Sequence, residues 1–276
     1  MNVYMAAQID AKICLFGAPF DSTASFRPGS RFGPNAIREA SYSLETFSPV
    51  QMADLEDCSF MDKGDLDLPF GDPTPALTLI EEFTGEILSH ERIPFLLGGE
   101  HLMSLGAIRA VKKKFPDLLV IHLDAHADLR DEYLGQSLSH ATVMRRVLDL
   151  LGPDHVRQIG IRSCTRQEHE IVSKLLSLPE QIALRAGTGP CYLTCDLDIL
   201  DPSVLPGTGT PEPGGLMFSE LVNILTSILA RQHIVGLDVV ELAPQLDPTG
   251  VSAVVAAKVV RECLIAIGRK NAIHRL

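Results

Sequence analysis

The run Leu118-Leu-Val-Ile-His-Leu-Asp124 constrains this chain more than any other stretch. Near-continuous aliphatic residues over so short a length predict a strand covered on both faces, which is how the strands of a parallel sheet read. At its carboxyl end stands Asp124-Ala-His126-Ala-Asp128, where a carboxylate, an imidazole and a second carboxylate recur at two-residue intervals. On an extended backbone, residues two apart share a face, so the three groups are expected to converge. Their meeting point is a candidate metal site.

The same signature recurs along the chain. Apolar strands are expected at 12–17, 93–99, 156–161, 191–198 and 233–240. Between them, helical spacing or capping predicts helices at 34–40, 76–91, 104–114, from Ser139-His140 to about Leu151, and at 167–178, 218–231 and 249–267. Residues 48–75 read as loop with a short strand at 58–61, and the Pro- and Gly-rich stretch 202–215 as a shaped loop. Alternation without a repeat or linker implies an α/β fold, one domain over residues 1–276, with a mostly parallel sheet joined by right-handed crossovers. Such sheets bind ligands outside the carboxyl ends of their strands. His101, Asp124, His126, Asp128, Asp196, Asp198 and Glu241 all fall at those ends or just past them.

Composition narrows the function. No apolar run approaches the roughly 18 residues of a membrane span, and the N-terminus lacks a signal-peptide pattern, so a cytoplasmic protein is expected. Six cysteines without a CxxC pair fit a reducing compartment. A net charge of -11 argues against nucleic acid and favours cationic ligands. The glycine-rich loop 26–34 matches neither GxGxxG nor a Walker motif, which sets nucleotide binding aside.

An isolated Asp after a strand is usually a cap and an isolated His usually packs. Gathering several carboxylates at buried strand ends is different, because the desolvation cost is too high unless cations neutralise them. Six ligands, four of them carboxylates, exceed one ion and suit two that share a bridge. An oxygen-rich set with a little imidazole fits Mn²⁺ better than Zn²⁺. Two such ions activate water, which makes hydrolysis the natural reaction class.

Gly98-Gly-Glu-His101, Asp124-Ala-His-Ala-Asp128, Ser139-His140, Asp196-Leu-Asp198 with Asp201-Pro202, Gly207-Thr-Gly-Thr-Pro211, Gly214-Gly215 and Gly236-Leu-Asp-Val-Val-Glu241 together resemble the ureohydrolases. That family includes arginase, agmatinase and formimidoylglutamase. The resemblance runs from about Gly17 to about Pro244, and the segments 26–34 and 128–140 look most like the agmatinase branch.

The resemblance implies an arginase-like three-layer α/β/α fold and two Mn²⁺ per subunit. It implies one ion on His101, Asp124, Asp128 and Asp196, and the other on Asp124, His126, Asp196 and Asp198. A bridging hydroxide oriented by Asp128 would attack a guanidinium carbon held by Glu241, with His140 as proton shuttle. Ser139-His140-Ala141-Thr142 departs from the Asp-His-Gly-Thr of many relatives but keeps the histidine. His122 is expected to support or pack beneath Asp124, and Glu100 and Asp238 to orient ligands or to act as caps or surface ion pairs. The implied activity is hydrolysis of agmatine, a small cationic guanidino compound, to putrescine and urea, by a homo-oligomer, trimer or hexamer. Guanidinobutyrase or another guanidino-acid hydrolase, then arginase, a different amidine hydrolase and a non-catalytic family member are the alternatives.

Overall fold

Side chains alternate across each strand of the main sheet and sort into two cores. The computed structural model describes residues 11–176 and 189–273. Along the chain run β1 (Ile13–Ala18), α1 (Gly33–Ser41), a small hairpin of β2 (Phe47–Ser48) and β3 (Ala53–Asp54), β4 (Phe60–Asp65), α2 (Pro73–Ser89) and β5 (Ile93–Gly98). They are followed by α3 (Ser104–Lys114), β6 (Leu119–Leu123), α4 (Val143–Leu151), β7 (Val156–Ile159) and α5 (Arg166–Leu175). The chain continues through β8 (Pro190–Asp196), α6 (Phe218–Arg231), β9 (His233–Val240) and α7 (Val251–Ile273).

Seven strands pair in the order β4-β1-β5-β9-β8-β6-β7, every pair parallel. Ile13, Leu15, Ile121, Leu123 and Leu193 face a core shared with α1, α6 and α7. Their neighbours Cys14, Phe16, Val120 and Tyr192 face the opposite core, shared with α2, α3, α4 and α5. Covering both faces is what makes these strands apolar throughout, and it produces three layers, α/β/α. The helix expected at 167–178 is found through Leu175, and positions 177 and 178 lie outside the described residues.

Two expectations are corrected at the polar end of the sheet. The short strand expected at 58–61 is the six-residue edge strand β4, whose Asp62 and Asp65 disguised it. Both carboxylates belong to the buried guanidinium of Arg38, which binds Asp62 through Nε (2.7 Å) and a terminal nitrogen (3.0 Å) and also reaches Asp65. Helix α2 starts three residues earlier than its apolar spacing suggests. The Asp72 carboxylate accepts the Thr74 N–H at 2.9 Å, and Pro73 fits the first turn, where no N–H is needed.

The four strands that carry the candidate site, β5, β9, β8 and β6, are consecutive in the middle of the sheet. Leu123 pairs with Cys195 and Cys195 with Val239, so the carboxyl ends of β6, β8 and β9 are flush. Gly99 lets the chain after β5 pass against the loop after β1. A Cβ there would meet the Phe20 backbone oxygen at 2.0 Å, and the close approach allows Glu100 N–H to donate to that carbonyl at 2.7 Å.

Candidate metal centre

The geometry of 124–128 differs from the extended strand expected. Strand β6 ends at Leu123, Asp124 N–H donates to the Ile159 carbonyl (3.1 Å), and His126 makes only an isolated bridge to Ser163. Asp128 then takes φ 53°, and Glu241, just past β9, takes φ 67°. Non-glycine residues adopt this left-handed backbone at a cost, and do so most often where a site needs a side chain re-aimed. The ligands converge, but a turning backbone aims them rather than the two-residue period.

His101 Nδ1 stands 3.1 Å from Asp124 Oδ2, 3.2 Å from Asp196 Oδ2 and 3.4 Å from Asp128 Oδ2. None of these is a directed hydrogen bond, and Nδ1 is a buried nitrogen without a partner. The other ring nitrogen explains why. Asp238 accepts the Tyr192 hydroxyl at 2.8 Å and the Thr194 hydroxyl at 2.6 Å. With its proton committed, Thr194 Oγ1 accepts from His101 Nε2 at 2.9 Å. That network assigns the proton to Nε2 and leaves the Nδ1 lone pair facing three carboxylate oxygens.

Lone pairs in that arrangement repel unless a positive charge sits among them. Ligand atoms around an octahedral ion at about 2.1 Å stand about 3 Å apart, close to the spacing found here. The residues therefore fit a divalent cation. A second group of possible metal-holding side chains is Asp124, His126 and Asp198, with His126 Nδ1 2.8 Å from Asp198 Oδ2 and 3.6 Å from Asp124 Oδ1. Asp124 is common to both groups and presents one oxygen to each.

The electrostatics make the same demand. Burial, then the charges of Asp198 and Asp124, hold the Asp196 carboxyl well above its ordinary range. Burial and Asp124 push Asp128 up to about 7, and burial followed by Glu100 pushes Glu241 up to about 8. Burial opposes charge on His126, yet Asp124 and Asp198 outweigh it and raise the imidazole to about 12. A site that draws in protons in this way is one where cations can replace them.

Supporting residues lie around this centre. His122 is buried and binds Asp124 Oδ2 through Nε2 (2.7 Å), while its Nδ1 faces the Gln158 amide at 3.0 Å. It sits close enough to share the first group of possible ligands, but its contacts brace Asp124. Asp238 steers His101 through Thr194, as described above. Glu100 stands at the N-cap of the 3-10 turn His101–Met103, but its side chain makes no capping bond: it is buried, and its carboxylate accepts the Thr23 N–H at 2.9 Å and the Thr23 hydroxyl at 2.6 Å. Glu241 Oε1 accepts the His101 N–H at 2.8 Å.

One cavity of about 300 Å³ brings together His126, Asp128, Asp196, Asp198, His140 and Glu241. Buried His101 and Asp124 lie behind that wall. Burial lowers the His140 pKa to about 4 against the opposing hydrogen bond of its ring to the Thr23 backbone, so the ring is neutral near pH 7. Sequence reasoning missed Ser25, Arg130, Tyr133, Ser163 and Thr210, which also line the cavity. The Arg130 guanidinium lies 4.6 Å from the Tyr133 ring centre, and Thr210 Oγ1 is 3.4 Å from Asp198 Oδ2. The Gly- and Pro-rich setting of Thr210 was a usable signal; Ser25 and Ser163 carried none.

Comparison with known proteins agrees with this arrangement. A family model described as the arginase family matches residues 11–266. The agmatinase of Bacillus cereus is 43% identical over 267 residues, which cover 93% of this chain and 92% of that protein. The agmatinase of Bacillus subtilis is 44% identical over the same shares of both. The crystal structure of agmatine ureohydrolase of Thermoplasma volcanium superposes with a TM-score of 0.88 at 32% identity, covering 99% of this chain and 95% of that one. The chain belongs to the arginase family.

Proposed function

We propose that the protein is a Mn²⁺-dependent agmatinase, one domain over residues 1–276, that hydrolyses agmatine to putrescine and urea. The observation that carries this reading is the meeting of Glu241 with Asp128, Asp196, Asp198 and His126 in one cavity. It puts a carboxylate suited to a cationic head group beside a cluster suited to metal ions. The identity to proteins named agmatinase supports agmatine as the substrate.

His101, Asp124, Asp128 and Asp196 would hold one ion, and Asp124, His126, Asp196 and Asp198 the other. Four carboxylates with two imidazoles suit Mn²⁺. Bound there, divalent ions supply Lewis acidity that brings the pKa of water toward neutrality.

The remaining steps belong to the chain's own residues. Glu241 grips the guanidinium, where opposite charge and planar geometry orient the carbon for attack. The substrate's charge in turn keeps Glu241 ionised against the burial and the neighbouring Glu100 that push its carboxyl up. Asp128 accepts a hydrogen bond from the attacking water and orients it. His140, neutral near pH 7, passes a proton to the departing amine instead of storing one.

Urea release from agmatine, arginine and 4-guanidinobutyrate with Mn²⁺ tests the reading. Agmatine is expected to turn over fastest, and faster turnover of either other compound overturns the assignment. Six free thiols, five of them buried, support a cytoplasmic location. A homo-oligomer, trimer or hexamer, is proposed from the family resemblance, and solution mass distinguishes the two.

A further inference from the structure

Ser25 lies in the loop that leaves β1, outside every motif that marks the metal centre. Its Oγ stands 3.1 Å from His140 Nε2, across 115 residues of sequence. The loop is anchored two residues earlier. Thr23 gives its N–H and its hydroxyl proton to the two oxygens of buried Glu100, and its Oγ1 then accepts the His140 N–H at 3.1 Å. One loop therefore holds both the backbone and the ring of His140, and it is tied to the residue that precedes His101.

His140 Nδ1 is buried, and among the described residues the Ser25 hydroxyl is the directed side-chain contact of the ring. A serine hydroxyl both donates and accepts, so Ser25 Oγ can bond Nε2 in either protonation state of the ring. Ser25, His140, Asp128 and Glu241 all border the same cavity.

We propose that Ser25 is a positioning residue for His140: its hydroxyl bonds Nε2 and holds that nitrogen at the cavity wall, braced by Thr23 and Glu100. The proposal rests on the reading of His140 as the proton carrier. It gives the ring a hydrogen bond that adds to its edge-on contact with Tyr133, 5.9 Å between ring centres.

Ser25→Ala and Ser25→Thr, assayed with agmatine in Mn²⁺-loaded protein, test it. Ser25→Ala is expected to lower kcat about tenfold, less than the roughly 10²–10⁴-fold of losing the acid-base group itself, with KM and manganese content unchanged. The limb of the pH profile that depends on His140 should move to lower pH, because an acceptor at Nε2 favours the imidazolium. Ser25→Thr should restore both. Carbethoxylation of His140 by diethyl pyrocarbonate, followed by peptide mass spectrometry, reads the same contact without turnover and should change several-fold in Ser25→Ala. Thr23→Val should act in the same direction. A Ser25→Ala protein with the wild-type pH profile and carbethoxylation rate overturns the proposal. If the wild type hydrolyses no guanidino compound, the functional reading fails, while the carbethoxylation rate still decides the Ser25 contact.

Discussion

Asp124 Oδ2 and His101 Nδ1 stand 3.1 Å apart although β9 and β8 lie between their strands. The pair closes the centre of the sheet's carboxyl edge, and Asp196 at the end of β8 joins it at 3.2 Å from the same nitrogen. No one strand could gather this set. It needs an edge where several parallel strands end flush and their following residues turn inward.

Asp124 is common to both groups of possible ligands, so Asp124→Ala should remove both metal ions together. Turnover is expected to fall roughly 10³-fold or more, the scale of losing several kcal/mol of metal-supplied stabilisation. Metal analysis of the purified variant, alongside urea release, checks it. Full metal content in Asp124→Ala would contradict a bridging role.

His140→Ala leaves every ligand in place and should keep its metals. Its kcat is expected to drop by about 10²–10⁴-fold, the range for loss of a general acid or base. Because burial lowers the wild-type ring to about pKa 4, the residue is neutral across the neutral range and its titration belongs to the acid limb. Turnover that matched the wild type at every pH would rule the shuttle out.

Thr194 links Asp238 to His101 and is fully buried. Thr194→Val keeps the shape and removes the hydroxyl, which frees His101 to change tautomer. Metal affinity should weaken by about 10–100-fold, as for other supporting hydrogen bonds to metal-bound histidines. Competition with a chelator of known affinity measures it, and unchanged affinity would show that the relay is dispensable.

Asp247 joins the loop after Glu241 to α7. Its carboxylate accepts the Ser252 N–H (2.8 Å) and hydroxyl (2.7 Å) and the Thr249 N–H (3.0 Å), while Ser252 Oγ accepts the Gly207 N–H at 2.9 Å. Burial opposes ionisation, but the bonds from Thr249 and Ser252 win and lower the pKa from 3.8 to about 2. The folded state thus binds the Asp247 proton more weakly than the unfolded chain does. Its stabilising contribution is complete above about pH 4 and is lost as pH falls toward 2. Asp247→Ala should cost about 1–2 kcal/mol at neutral pH, or roughly 2–8 °C in Tm. Thermal unfolding of both proteins at neutral and acid pH checks this, since the difference between them should shrink in acid.

Much of the molecule was legible without coordinates. Strands such as 119–123 and 193–195 are buried on both faces and must be apolar, so periodicity and alternation with helices revealed a parallel α/β sheet. A carboxylate or histidine that interrupts such a run at its carboxyl end stands out, which is why His101, Asp124, Asp196 and Glu241 could be picked from sequence. β4 was harder to read because Arg38 satisfies its acidic residues from another element, and a local window does not contain Arg38.

By itself the sequence determined the layered fold, the strand ends that bear ligands and, through its motifs, the family. Tertiary structure alone decided that β5, β9, β8 and β6 stand side by side and that Asp128 and Glu241 bend into the left-handed region to face the site. It also decided between support and mere packing for His122, in favour of support, and brought Ser25 and Thr23 to His140. The physical reason is range. Propensity and burial act over a few neighbouring residues, whereas these contacts span up to 117 residues and depend on strand order and on loops that carry no periodic signal.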